Sequence, residues 1–243
     1  MKLNKTLIIS DTHLEQDVDK DKSYLTIKRM IPKEKFDVIV LNGDFLDLSY
    51  ISQWTRDMPG LVEGKRLTWD LQILRKELTF FKKHATNVIY IEGNHEARLQ
   101  NFLHKNPVLE GMIELDIICK ELGVAYIPTV LQPLRMFSDL YIAHGLSLNK
   151  YCAANNAEKS GVSIITGHSH RSQMYTTSYM NEVPLTGYSI GCVSSLCPGW
   201  VKGKRITGWS QSFGILYGDK DQWDLNIIML KDHKCIVGGK LYK

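Results

Sequence analysis

Apolar positions along this chain follow two rhythms, and each predicts a different element. Short, mostly apolar runs recur at Leu7–Ser10, Val38–Leu41, Val88–Ile91, Leu140–Ala143 and Ser163–Thr166. A continuous run of that length predicts a strand covered on both faces. Between Arg66 and His84 the rhythm changes. Leu67, Leu71, Leu74, Leu78 and Phe81 follow three- and four-residue steps with Lys and Arg between them, which predicts an amphipathic covering helix. Further helices are expected after Lys22 to about Met30, ended by Pro32, and at Ala97–Lys105, Gly111–Leu122 and Asn149–Lys159. Leu48–Gly60 reads as an irregular loop. Short strands are expected at Ala125–Ile127 and Thr129–Phe137, the latter at an edge or broken because of Pro133.

Beyond Arg171 the pattern becomes β-rich. Gln173–Tyr179 and Leu185–Ile190 flank an Asn181-Glu182 turn, Cys192–Ser212 reads as a long loop, and Phe213–Tyr217, Asp224–Leu230 and Cys235–Leu241 read as three final strands. Strands alternating with helices, followed by a run of strands, predict an α/β fold of sheets covered by helices. No linker interrupts the pattern, so one domain over residues 1–243 is expected, with a β-rich part from about 171.

The polar residues that end the apolar runs carry the chemistry. The first stops at Asp11-Thr12-His13, the second at Asn42-Gly43-Asp44 with Asp47 beyond, the third at Gly93-Asn94-His95-Glu96. The fourth stops at His144-Gly145 and the fifth at Gly167-His168-Ser169-His170. Packing does not ask for carboxylates and imidazoles at the same end of every strand. Ligands of α/β sheets, in contrast, bind outside the carboxyl ends of strands. Asp11/His13 and His168/His170 have the i, i+2 spacing that points two side chains the same way, so each pair is expected to grip one site.

Taken together, Asp11, His13, Asp44, Asn94, His144, His168 and His170 offer two carboxylates, one amide oxygen and four imidazoles. That set is too rich for one metal ion and fits two, with one carboxylate shared. Two ions can clamp a phosphate and the oxygen that attacks it. Nitrogen and oxygen donors without thiolate favour Mn, with Fe, Zn, Co or Ni as alternatives, and the imidazole content argues against Mg or Ca.

Composition changes this picture little. The charged fraction of 23% and hydrophobic fraction of 44% suit an ordinary globular protein, and a net charge of +4 does not argue for nucleic acid by itself. Five scattered cysteines without a Cys-x-x-Cys pair predict a reducing, cytoplasmic setting. No secretory leader, membrane span, repeat or separate DNA-binding module is expected, because Met1–Ser10 runs straight into a strand and the apolar runs are short.

Asp11-x-His13, Gly43-Asp44-x-x-Asp47, Gly93-Asn94-His95-Glu96, His144-Gly145 and Gly167-His168-x-His170 resemble, in order, the five blocks of the calcineurin-like metallophosphoesterases. The resemblance implies a four-layer α/β/β/α sandwich with a dinuclear site at one edge. It implies one metal on Asp11, His13, Asp44 and His170, and a second on Asp44, Asn94, His144 and His168, with Asp44 bridging. A metal-bridging hydroxide would attack the phosphoester. His95 would bind the phosphate and protonate the leaving oxygen, with Asp47 orienting it; the alternative for Asp47 is a helix cap or a surface charge.

Departures narrow the branch. Glu96 follows the pattern of the Ser/Thr protein phosphatases, but those carry an Arg soon after the second aspartate block, whereas Asp47 is followed by Leu48-Ser49-Tyr50, and the closing Gly-His-x-His is one they lack. The expectation is therefore a phosphodiesterase acting on a nucleotide-type diester or on nucleic acid. A phosphomonoesterase on nucleotides or phosphoproteins is the alternative, and a metal-bound scaffold that has lost catalysis is the third reading. Arg98 could reach the phosphate or lie on a helix surface. In the 192–212 loop, Lys202, Lys204 and Arg205 could meet phosphates and Trp200 or Trp209 could stack a base; the alternative is a solvated loop with a packing Trp.

Overall fold

Successive side chains of a strand point to opposite faces, and the early strands of this chain bury both. The structure, a computed structural model, describes residues 3–16, 18, 21–55, 57–109, 111, 114–128, 133–177, 183–198 and 206–243. In chain order it forms β1 (Asn4–Ile9), α1 (Lys22–Glu34), β2 (Phe36–Asn42), two short 3-10 turns (Ser49–Ile51 and Gln53–Thr55), α2 (Pro59–Val62), α3 (Leu67–His84), β3 (Ala85–Ile91) and α4 (Asn94–Lys105). A third 3-10 turn (Pro107–Leu109) precedes α5 (Leu115–Glu121), β4 (Ala125–Ile127), β5 (Leu134–Arg135), β6 (Leu140–Ile142), α6 (Cys152–Ser160) and β7 (Ser163–Thr166). The chain ends in β8 (Ser172–Thr177), β9 (Leu185–Ile190), β10 (Ser212–Gly218), β11 (Trp223–Met229), β12 (Cys235–Val237) and β13 (Lys240–Tyr242).

Two sheets result. One runs β11-β10-β1-β2-β3-β4, with β1 to β4 parallel and β10 and β11 antiparallel at one side. The other runs β5-β6-β7-β9-β8, with β6, β7 and β9 parallel. Leu7, Ile9, Ile39, Leu41, Val88 and Tyr90 face the helices and pack with Ile27 and Met30 of α1, Leu74, Leu78 and Phe81 of α3, and Ile118 of α5. Ile8, Val40 and Ile91 face the other way and meet Ile142, Ile165, Tyr188 and Ile190 of the second sheet. Ala157 of α6 covers the far side on Ala143 and Ile164. The layers are therefore helices, sheet, sheet, helix, as expected. Among the described residues no helix is long and apolar enough to cross a membrane.

Several expectations are corrected. The first helix runs through Pro32 to Glu34, because Pro32 sits in the last turn, where few later bonds depend on it, while Met30 and Ile31 are buried. Leu48–Gly60 contains two 3-10 turns and the start of α2. Cys235–Leu241 is no single strand. Gly238 and Gly239, with φ of 54° and 76°, turn it into the β12–β13 hairpin. Helix α5 starts at Leu115, later than Gly111, and α6 at Cys152, later than Asn149. Of the Thr129–Phe137 run only Leu134–Arg135 is a strand among the described residues, and the Asn181-Glu182 turn lies outside them. Helix α4 begins at Asn94, so Asn94, His95 and Glu96 are its first turn rather than the loop before it.

Candidate metal centre

The parallel strands β1, β2, β3, β6 and β7 all end at one edge of the sandwich, and their following loops are laced together there. Asp11 N–H donates to Gly43 O (3.1 Å), His13 N–H to Asp44 O (3.0 Å) and Leu14 N–H to Phe45 O (2.8 Å), which ties the loop after β1 to the loop after β2. Gly167 N–H donates to His144 O (2.8 Å) and ties the loops after β6 and β7. The two sheets are joined by His168 N–H donating to Asp11 Oδ2 (2.8 Å). Ser10 Oγ adds bonds to Asp11 Oδ2 (2.6 Å) and to Asn42 O (2.8 Å).

The backbone at this edge is unusual. Asp11, His13, Asp44, His168 and His170 all have left-handed φ, between 48° and 62°. For residues with a Cβ this costs roughly 1–2 kcal/mol each. The glycines beside them permit close approach: a Cβ on Gly167 would lie 1.8 Å from Ser10 Oγ, and one on Gly93 would lie 2.2 Å from Asp44 N. Strain of this kind collects where a fixed arrangement of side chains is needed.

Glu96 holds the arrangement from beneath. It is fully buried. Its Oε2 accepts from the N–H groups of Asp44 (2.9 Å) and Gly93 (2.9 Å), and its Oε1 from those of Phe45 (2.8 Å) and Leu46 (3.0 Å) and from Tyr90 OH (2.8 Å). Burial and the nearby Asp44 carboxylate push its pKa up, and the donors around it oppose that. The sequence reading missed this role. The available signal was an acidic residue at the third position of a helix, the position that reaches back to the helix start.

All seven sequence-predicted ligands come together. Asp11, His13 and His170 form one group, and Asp44, His144 and His168 another, each with ligand atoms within 4.8 Å of one another. Asn94 joins the second, its Oδ1 3.2 Å from His144 Nε2. The His168/His170 pair therefore splits between the groups instead of gripping one site. Left-handed φ at both residues abolishes the strand period on which that expectation rested. Asp44 stands at the joint: its Oδ2 is 3.3 Å from His144 Nε2, 3.9 Å from His13 Nε2 and 3.8 Å from His95 Nε2, while its Oδ1 accepts from His95 N–H (2.8 Å).

These side chains converge on common points rather than on one another, as ligands of a cation should. Asp11 Oδ1 is buried, and the group nearest it is His170 Nε2, an ion-pair neighbour at 3.1 Å. Two imidazole nitrogens, His13 Nε2 and His170 Nε2, face each other at 3.2 Å. His144 Nδ1 lies 2.8 Å from Asn42 O, and donating there turns its Nε2 inward. A divalent cation in each group fits this donor set.

The electrostatics say the same. Burial alone would raise the Asp11 pKa, but His170 overrides it and holds it at about 2. Burial likewise opposes, and His144 and His95 outweigh, so Asp44 is held well below the carboxylate range. Against the pull of burial, Asp44 raises His144 to about 10 and Asp11 raises His170 to about 10. Without metal, protons on these imidazoles balance the carboxylates.

His95 lies beside both groups. Burial and His13 depress its pKa to about 4. Its Nδ1 is 2.5 Å from the main-chain carbonyl of Asp47, whereas the Asp47 carboxylate is 3.6 Å from it and nearer His13 Nδ1, at 3.3 Å. The carbonyl rather than the carboxylate is thus the acceptor closest to His95. Arg98 Nη1 is 3.1 Å from His95 Nδ1, which places Arg98 at the site and not on the outer face of α4. The Trp209 ring packs on His170, with centroids 4.0 Å apart. Trp200, Lys202, Lys204 and Arg205 lie outside the described residues.

Two outcomes are expected. Replacing Glu96 with Ala strands four buried N–H groups and should destabilise the fold by at least about 3 kcal/mol, measured as a shift in the urea midpoint. Glu96→Gln should not rescue it, because an amide N–H would face backbone donors. Second, ligation needs neutral imidazoles, and at pH 7.5 both His144 and His170, with pKa values of about 10, hold protons. Metal binding should then release about two protons, and apparent affinity should rise as pH rises toward 10. Calorimetry in buffers of different ionisation enthalpy reads the number directly.

Comparison with curated proteins gives no match. Vacuolar protein sorting 29 from Cryptosporidium parvum shares the fold at 12% identity, with 99% of this chain and 95% of that chain covered and a TM-score of 0.52. Zn-complexed wild-type Vps29 from Entamoeba histolytica aligns at 10% identity over 98% of this chain and 95% of that chain, with a TM-score of 0.45. The nuclease MPE of Pseudomonas putida aligns at 13% identity over 91% and 87%, with a TM-score of 0.40. Residues 5–176, which contain every one of the converging side chains, match the calcineurin-like phosphoesterase family, and the chain belongs to it.

Proposed function

We propose that this protein is a dinuclear metal-dependent phosphoester hydrolase whose preferred substrate is a phosphodiester of nucleotide type, nucleic acid included. The position of Asp44 Oδ2 between the two ligand groups carries the reading. Asp11, His13 and His170 would hold one ion, Asn94, His144 and His168 the other, and Asp44 would serve both. Ions bound there supply charge to offset the phosphate oxygens and acidify water. The nitrogen and oxygen donors favour manganese, with Fe, Zn, Co or Ni as alternatives.

The remaining chemistry falls to protein side chains. His95 donates Nδ1–H to Asp47 O, which leaves Nε2 facing the Asp44 side of the cluster. A bound phosphate adds negative charge there and raises the depressed His95 pKa, so that Nε2 can carry a proton to the leaving oxygen. Nδ1 cannot both donate to Asp47 and accept from Arg98, so the Arg98 guanidinium keeps donors for a phosphate oxygen. Trp209, whose ring packs on His170, would stack a base. Arg98 brings a cationic side chain to this cluster. The five cysteines are unpaired, four of them buried, in keeping with a reducing compartment such as the cytoplasm.

Hydrolysis of a chromogenic phosphodiester beside its monoester, with added manganese and with His170→Ala as the control, tests the proposal. Diester cleavage that the variant lacks is expected; monoester cleavage alone moves the assignment to a phosphatase, and cleavage of neither by the metal-loaded protein favours the scaffold. Asp44→Asn should lose metal and activity together. His95→Ala should keep both metals and lose about 10²–10³-fold in kcat. Arg98→Ala should raise KM about tenfold, the size of one charge-assisted hydrogen bond, and an unchanged KM would remove it from the substrate site.

A further inference from the structure

Helix α6 supplies no sequence-predicted metal ligand, yet it carries a buried amide that reaches two of the segments holding them. Asn156 lies on the inner face of α6 and is fully buried. Leu146 N–H donates to its Oδ1 at 3.3 Å, and its Nδ2 donates to Thr166 Oγ1 at 3.0 Å. Thr166 Oγ1 in turn donates to Tyr188 O of β9 at 2.9 Å. Leu146 stands two residues past His144, and Thr166 stands two residues before His168.

The direction of each bond is fixed. A backbone N–H can only donate, so Oδ1 faces Leu146 and Nδ2 is left for Thr166. The Thr166 hydroxyl accepts that bond and donates its own proton to β9. Packing does not ask for an amide here, since α6 fills neighbouring buried positions with Ala153 and Ala157. A buried amide is costly unless both of its ends are bonded, and here both are. The two segments it joins already lie close together. Gly167 N–H donates to His144 O at 2.8 Å, and a Cβ on Gly145 would lie 3.1 Å from His168 Cβ. His144 and His168 belong to one ligand group. His170, in the other group, has a separate tie through its carbonyl to Ser210 N–H at 2.9 Å.

We propose that Asn156 is a positioning residue for the metal ion of the Asn94, His144 and His168 group: it sets the spacing between the loops after β6 and β7, and so between these two imidazoles. The inference rests on the dinuclear reading above. Groups bonded directly to ligating side chains commonly govern metal affinity by about 10- to 100-fold. Asn156 acts through the backbone beside the ligands, so a smaller effect is expected.

The test uses the full chain, titrated with manganese by calorimetry. His168→Ala identifies which of the two equivalents belongs to this group. Asn156→Leu, close in size but unable to hydrogen-bond, should weaken that equivalent about five- to tenfold and leave the other within about twofold. Thr166→Val should do the same, whereas Thr166→Ser, which keeps the hydroxyl, should bind as wild type does. Added to Asn156→Leu, Thr166→Val should change affinity by less than about twofold, because both break one link. Wild-type affinity in both Asn156→Leu and Thr166→Val overturns the inference. So does an equal loss in both equivalents, the mark of a general loosening of the fold. If Asn156→Leu does not fold, Thr166→Val decides. A wild type that binds two manganese ions but cleaves no phosphoester defeats the hydrolase reading, while the titration still decides the role of Asn156. Fewer than two equivalents in the wild type defeats the dinuclear reading and this inference with it.

Discussion

The burial of one carboxylate underlies the whole site. Glu96 accepts from four backbone N–H groups and one phenol, and the donors come from the loop after β2, the loop after β3 and the body of β3. The loop after β2 carries Asp44, and the one after β3 leads directly into Asn94 and His95 in the first turn of α4. A buried carboxylate with this many donors is costly to disturb, because each donor freed would be buried without a partner. The clamp therefore makes the position of Asp44 a property of the core and not of a flexible loop.

Upon that support the protein assembles a cluster that is unfavourable by itself. Two buried aspartates and four imidazoles crowd one edge, and five of these residues take left-handed backbone. Lacing between neighbouring loops, through Gly43 O, Asp44 O and His144 O, holds them against that cost. The carboxylates and imidazoles compensate each other with protons in the metal-free state, and a cation in each group can take over that balance. A rigid, pre-strained site of this kind favours a cation of matching size and donor preference over a looser one.

Around the ligands runs a less symmetrical ring. His95 leans on a main-chain carbonyl, Arg98 stands beside it, and Trp209 lies on the opposite flank against His170. The Asp47 carboxylate lies between His13 and His95. One flank thus carries an imidazole and a guanidinium, and the ring of Trp209 lies against His170.

Much of this was legible in the chain. Continuous apolar runs mean strands covered on both faces, and Ile8 against Leu7 and Ile9 shows the sorting that follows. Parallel strands bring their carboxyl ends to one edge, so Asp11, Asp44, Asn94, His144, His168 and His170 could be assembled from strand ends alone. Turn chemistry was legible only where it is strictly local, and the Gly238-Gly239 hairpin was overlooked within an apolar stretch. Tertiary structure alone decided the rest. The splitting of His168 from His170, which the family resemblance implied and the i, i+2 spacing did not, depends on backbone dihedrals that Asp and His adopt only when surrounding contacts force them. Whether Asp47 meets its neighbours through carbonyl or carboxylate depends on how two loops lie against each other. The buried work of Glu96 joins residues roughly 50 positions apart, as no periodicity or spacing along the chain can.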